Sequence, residues 1–176
     1  PYFGYDSNEV KIVTDIVEAT KSPNRPKNLL EKIMCDADHD YLGRADYYHV
    51  SKKLREEMEN YDIFMSDLEW VEFQLNFLEN QHEYYTDTAK NIRQGGKKAR
   101  ILELNKVRQE MIENKKQFAK VLSQALGDPV SSIMKKISDS KKRFVWLDRL
   151  VASPVADKLK EQKIKGLGFV EEWKRI

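Results

Sequence analysis

The chain has 176 residues, 40% of them hydrophobic and 34% charged, which is enough apolar content for one ordinary domain or two small ones. No run approaches the ~18 consecutive apolar residues of a membrane span. A single cysteine, Cys35, excludes an internal disulfide framework and a Cys-rich structural zinc site. Charge is divided unevenly: residues 1–89 hold 9 Lys/Arg against 19 Asp/Glu, net −10, and residues 90–176 hold 22 against 10, net +12. The two halves read as different pieces that attract one another. The basic half has few aromatics between its lysines for stacking on bases, so solvated helix faces account for it better than a nucleic-acid surface. Pro1, with neither Met nor a signal-peptide pattern, reads as a start within a longer gene.

In chain order, the first predicted helix runs from about Asn8 to Lys21. Asp6 caps it and Glu9 completes a capping box, while Val10, Val13, Ile16, Val17 and Thr20 recur at helical spacing and are expected to face a core. Ser22-Pro23 stops it. A second helix starts near Pro26, where a missing N–H costs nothing, and carries Leu29, Leu30, Ile33, Met34, Ala37 and Tyr41 on one apolar face up to Gly43. Asp46 caps a third helix to about Asn60. Ser66 and Glu69 form a second capping box that opens a helix over Asp67 to Gln81.

Thr86 or Asp87 then caps a short helix that breaks at Gly95-Gly96. A long charged helix follows from Lys97 to about Leu126, ended by Gly127-Asp128-Pro129. Beyond it the composition turns β-branched and aromatic. Residues 143–151 and 166–173 read as strands flanking a helix opened by Ser153-Pro154. The expected fold class is therefore mainly α, with a small strand–helix–strand tail: residues 1–96 a helical region, 97–128 the long helix, 129–176 the α/β tail. Trp70, Trp146 and Trp173 are core or interface anchors.

The chemistry-bearing segment is Cys35-Asp36-Ala37-Asp38-His39-Asp40. Asp36 and Asp40 lie one turn apart on one flank of the apolar face, Asp38 on the opposite flank. Three carboxylates beside apolar residues need water, hydrogen bonds or a cation. They suit loop capping and inter-helix bonds, or a hard divalent ion: Mg²⁺ or Mn²⁺ for carboxylates alone, Mn, Fe or Co for a mixed His/Asp set. Cys35 sits beside acids that raise a thiol pKa, which argues against a nucleophile. His82 and Tyr84-Tyr85 lie near a helix junction, a position better suited to packing and end-capping than to ligation.

The run Asp36-Ala37-Asp38-His39-Asp40-Tyr41-Leu42-Gly43-Arg44, preceded by Leu29-Leu30-Glu31-Lys32-Ile33-Met34-Cys35, resembles the closing helix of HD-domain metal-dependent phosphohydrolases. The resemblance extends from about Tyr5 to Leu104, through Glu69-Trp70, Phe77-Leu78, His82, Tyr84-Tyr85-Thr86 and Thr88-Ala89. It implies a helical fold and a divalent metal. Asp38 is then the last metal ligand, with Asp36 as a second candidate ligand in the motif, and the substrate is a phosphorylated small molecule or nucleotide. An intact relative uses the metal to polarise a phosphoryl oxygen and activate a water. The family also needs an upstream His and a His-Asp pair. Only His39, His49 and His82 occur here, and His39-Asp40 lies inside the closing motif. The amino-terminal half of such a domain is thus expected to be missing, the catalytic residues are unassigned, and hydrolysis requires another polypeptide to complete the site.

A second stretch, Lys142-Arg143-Phe144-Val145-Trp146-Leu147-Asp148-Arg149 followed by Ser153-Pro154-Val155-Ala156 and Gly166-Leu167-Gly168-Phe169-Val170-Glu171-Glu172-Trp173-Lys174-Arg175, resembles the amino-terminal pedestal of class B penicillin-binding proteins. That resemblance covers about residues 118–176. It implies a non-catalytic scaffold with a protein partner, and neither Ser-x-x-Lys nor Lys-Thr-Gly is present to suggest transpeptidation. The first resemblance implies a cytoplasmic protein and the second a periplasmic or extracellular one, as expected of a fragment, fusion or chimera of two pieces. The long helix is the expected route to a partner or oligomer.

Overall fold

The computed structural model describes residues 4–138. The expected strands over 143–151 and 166–173, the helix between them and the residues carrying the pedestal resemblance lie outside these. The described chain is mainly α, as its periodicity predicts, with six α-helices and no strand among the described residues. They are α1 (Ser7–Ala19), α2 (Leu29–Asp38), α3 (Tyr47–Asn60), α4 (Asp67–Asn76), α5 (Asp87–Leu126) and α6 (Val130–Ser138), with a 3₁₀ turn at Asp40–Gly43 and a π-turn at Phe77–Gln81. Among the described residues no helix is long and apolar enough to cross a membrane. Two compact units result: one takes the residues up to Ile63 together with Phe73–Leu104, the other takes Phe64–Glu72 and the residues from Asn105 on.

Local chemistry sets the helix starts. Asp6 accepts from the Asn8 and Glu9 N–H groups while the Glu9 carboxylate accepts from the Asp6 N–H, the expected capping box. The second helix begins three residues later than Pro26 suggests. Asn28 is its cap: its Oδ1 accepts from the Glu31 N–H, and the buried Glu31 carboxylate takes the Lys27 N–H and the Asn28 amide. It also ends earlier, at Asp38, where the chain tightens into the 3₁₀ turn. Asp46 precedes α3 without a side-chain capping bond, because its carboxylate is paired with Arg44. Ser66 and Glu69 form their predicted box, but the helix they open changes pitch after Asn76.

Gly95-Gly96 does not break a helix. One continuous helix, α5, runs through both. The reason is close packing: a Cβ on Gly96 would lie 2.0 Å from the Gly43 carbonyl oxygen, and one on Gly43 would lie 2.4 Å from the Arg93 carbonyl oxygen. The 3₁₀ turn thus rests directly on the backbone of α5, and the two glycines permit that approach. Gly95 faces open space.

The apolar stripes of α1 and α2 are the second departure from expectation. Val10, Val13 and Val17 are exposed, Val13 by 60%, and so are Leu29, Leu30, Ile33 and Met34, Leu29 by 66%. The opposite face of α2 is the buried one. Glu31 is held by its capping bonds, and the Cys35 thiol donates to the Ala19 carbonyl at 3.2 Å. Asn24 donates to the Ala19 and Thr20 carbonyls, closing the end of α1 over that side. Polar groups that find partners hold these helices together, and the apolar stripes remain at the surface. Elsewhere in this unit Tyr47 of α3 is buried, its hydroxyl bonded to Gln74 Oε1 at 2.7 Å beside Ser51, which donates to the same oxygen.

In the second unit, the end of α5 and α6 make an apolar core of Phe118, Ala119, Leu122, Ile133 and Ile137, flanked by Leu126 and Met134. Gly127 turns the chain with φ +74°, and the Ser123 hydroxyl donates to the Asp128 carbonyl at 2.6 Å. The predicted stop at Gly127-Asp128-Pro129 is therefore a helix–helix turn.

Candidate functional site

The carboxyl end of α2 places the acidic segment against the loop that leads into α5. Asp36 is buried, and both its oxygens are occupied: Oδ1 accepts from the Tyr85 N–H at 2.7 Å and Oδ2 from the Thr86 N–H at 2.8 Å. Those donors lie immediately ahead of α5, where the helix dipole favours an anion. The Thr86 hydroxyl accepts from the Ala89 N–H at 3.2 Å, so Asp36 and Thr86 cap α5 together.

Asp40 is an ion-pair residue. It accepts from Arg93 Nε at 2.5 Å and Nη2 at 3.2 Å, and from Arg44 Nη1 at 3.5 Å. The Arg93 hydrogen bond holds its carboxyl below the usual carboxylate range. The His39-Asp40 dipeptide is thereby divided, with Asp40 turned to Arg93 and His39 turned to an aromatic cluster.

Asp38 is the carboxylate left facing solvent. Its side chain is 52% exposed, and His39 Nε2 lies 3.7 Å from its carboxylate. By helical spacing it lies one turn beyond Met34, at the rim of the exposed apolar stripe of α2. Asp38 and His39 offer two donors, short of the four to six or more that hold a zinc, magnesium or calcium ion. Among the described residues no group of three or more His, Cys, Asp or Glu is placed to hold a metal. The metal set implied by the motif is therefore incomplete within these residues.

Behind Asp38, His39 and His82 meet edge to face with ring centroids 5.1 Å apart. Phe77 lies 5.3 Å from His39 and 5.8 Å from His82, and Tyr84 stands edge-on to His82 at 4.6 Å. The Tyr84 hydroxyl donates to the His39 carbonyl at 3.4 Å. His82 is only 7% exposed, and neither ring nitrogen has a hydrogen-bond partner among the described residues. Burial, reinforced by Lys97 and His39, pushes its pKa down to about 3. Lys97 is itself buried and donates to the His82 carbonyl at 2.6 Å, with burial lowering its ammonium pKa. Burial likewise pushes the Cys35 thiol up, and the acidic groups Asp36, Asp38 and Glu31 act in the same direction.

Arg93 and Lys97 carry much of this junction, and neither is singled out by the sequence reading. Their signal is positional. Arg93, Gly96 and Lys97 fall at i, i+3 and i+4, and a glycine needed for close approach marks the face that packs. No family model matches the chain, and neither curated proteins nor solved structures give a match.

Proposed function

We propose that the described chain is a helical part of an HD-type metal-dependent phosphohydrolase-like domain, with Asp38 as the one metal ligand supplied by α2. One observation carries the reading. The Asp-Ala-Asp-x-Asp-Tyr-Leu-Gly-Arg run sits on a helix end that holds Asp38 exposed, beside an apolar stripe against which further helices would pack. Groups brought by those helices complete the ligand set, and the divalent ion is Mn, Mg, Fe or Co. Without them no hydrolytic step is assigned to the described residues. With them the substrate is a phosphoester or nucleotide and the compartment cytoplasmic.

The test is titration calorimetry of the full chain with Mn²⁺. Weak binding that disappears in Asp38→Ala is expected. Absence of binding, or binding indifferent to that substitution, removes the metal assignment.

The exposed stripes also favour a second reading, a non-catalytic interaction module that engages a protein partner and needs no metal. If it is related to a penicillin-binding-protein pedestal, its place is periplasmic or extracellular. Mn²⁺-dependent turnover of a chromogenic phosphodiester by the full chain counts against the module. Metal-independent capture of one specific partner, lost on Ile33→Glu, supports it.

A further inference from the structure

The loop from His82 to Thr86 has two anchors of opposite chemical kind. At one end Asp36 holds the Tyr85 and Thr86 N–H groups. At the other, the His82 ring is packed into a box of His39, Phe77 and Tyr84 with both nitrogens unpartnered. That box accepts a neutral imidazole as an aromatic plate. It has no place for an imidazolium, which carries two N–H donors and a charge.

The groups facing the ring offer no compensation. His39 comes from the end of α2, Lys97 from α5, and Tyr84 from the loop itself. Glu83 acts on Lys97, Asp40 pairs with Arg93 and Arg44, and Asp36 is saturated by backbone donors. Lys97 makes matters worse, since its ammonium is fastened to the carbonyl of His82.

We propose that His82 is an acid-sensitive latch: protonation expels its ring from the box and opens the 82–86 loop, which unties the end of α2 that carries Asp36 and Asp38. The closed loop excludes the proton and the open loop admits it, so acid shifts the equilibrium by differential proton affinity alone. The Tyr84 hydroxyl on the His39 carbonyl and the two N–H bonds to Asp36 are broken together, because they sit within four residues of the ring. This inference is independent of the metal reading, and Asp38 enters neither its motivation nor its readout.

Backbone amide exchange on the full chain tests it. With a ring pKa of 6.5 in the open loop and about 3 in the closed one, the protection factors of the Tyr85 and Thr86 amides fall roughly 30-fold between pH 7.5 and 5.0. In His82→Phe, which keeps a ring in the box, that fall disappears while protection at pH 7.5 is retained. Unchanged protection in the native chain, or an equal fall in His82→Phe, overturns the latch. Should His82→Phe not fold, NMR titration of the native His82 ring decides. A pKa well below 6.5, with Tyr85 and Thr86 amide shifts following the same curve, supports it. A value near 6.5, or loop amides indifferent to it, overturns it.

Discussion

The α5–α6 hairpin and the junction of α2 with the start of α5 are both helix–helix contacts, but different forces hold them. The hairpin closes on Phe118, Leu122, Ile133 and Ile137, with Ala119, Leu122 and Ile133 fully buried. At the junction, directional polar anchors add to the buried aromatic cluster of His82 and Tyr84. There α2 is fixed by Asp36 on two amides, Asp40 on two guanidiniums, Cys35 on a carbonyl and Glu31 on its own cap. Apolar contacts are non-directional and indifferent to pH, whereas the junction's bonds are directional and charge-dependent. Directional anchoring fixes which atoms face out, which is what a site needs, and it leaves the apolar side of α2 available.

Four substitutions sharpen this contrast. Leu122→Ala should cost most, about 3 kcal/mol in denaturant-monitored stability, because it leaves a cavity between α5 and α6. The loss should be the same at pH 5 and pH 7.5, and a pH-dependent loss would show that the hairpin is not an apolar contact. Asp36→Ala should cost about 2 kcal/mol by leaving the Tyr85 and Thr86 amides without their acceptor. Its signature is local, with faster exchange at those amides and none at Leu122. The glycine pair changes sign between its two members. Gly96→Ala should destabilise by about 1–3 kcal/mol, since its Cβ meets the Gly43 carbonyl. Gly95→Ala, in open space on the same helix, should stabilise by up to about 1 kcal/mol. Thermal melts of the two variants side by side check both, and equal shifts would remove the packing account of Gly96.

Much of the helix pattern was legible from caps and breakers. Asp6 with Glu9, Ser66 with Glu69, and Gly127-Asp128-Pro129 signal through bonds made within a few residues. What was not legible depends on distant partners. Nothing local tells that Gly96 faces Gly43, so a glycine pair that usually weakens a helix reads as its end. Nothing local tells that the capped Glu31 side of α2 will be covered before its apolar side, so Leu29, Leu30, Ile33 and Met34 read as core. In the acidic segment, spacing separated Asp38 from Asp36 and Asp40. It did not show that the last two are engaged by backbone amides and by arginines.

The mutual approach of Gly43 and Gly96 has a consequence for how this chain can diverge. Gly96 excludes a side chain on account of the Gly43 backbone and Gly43 on account of Arg93, one turn away on the same helix as Gly96, so neither can change first without moving the 3₁₀ turn away from α5. The pair behaves as a single hereditary unit of two hydrogens. In any set of descendants, both sites would look as immutable as a catalytic dyad while contributing no reactive atom. Invariance there would record a spacing of backbones, and a search for active-site residues by invariance alone would be drawn to the wrong end of the motif.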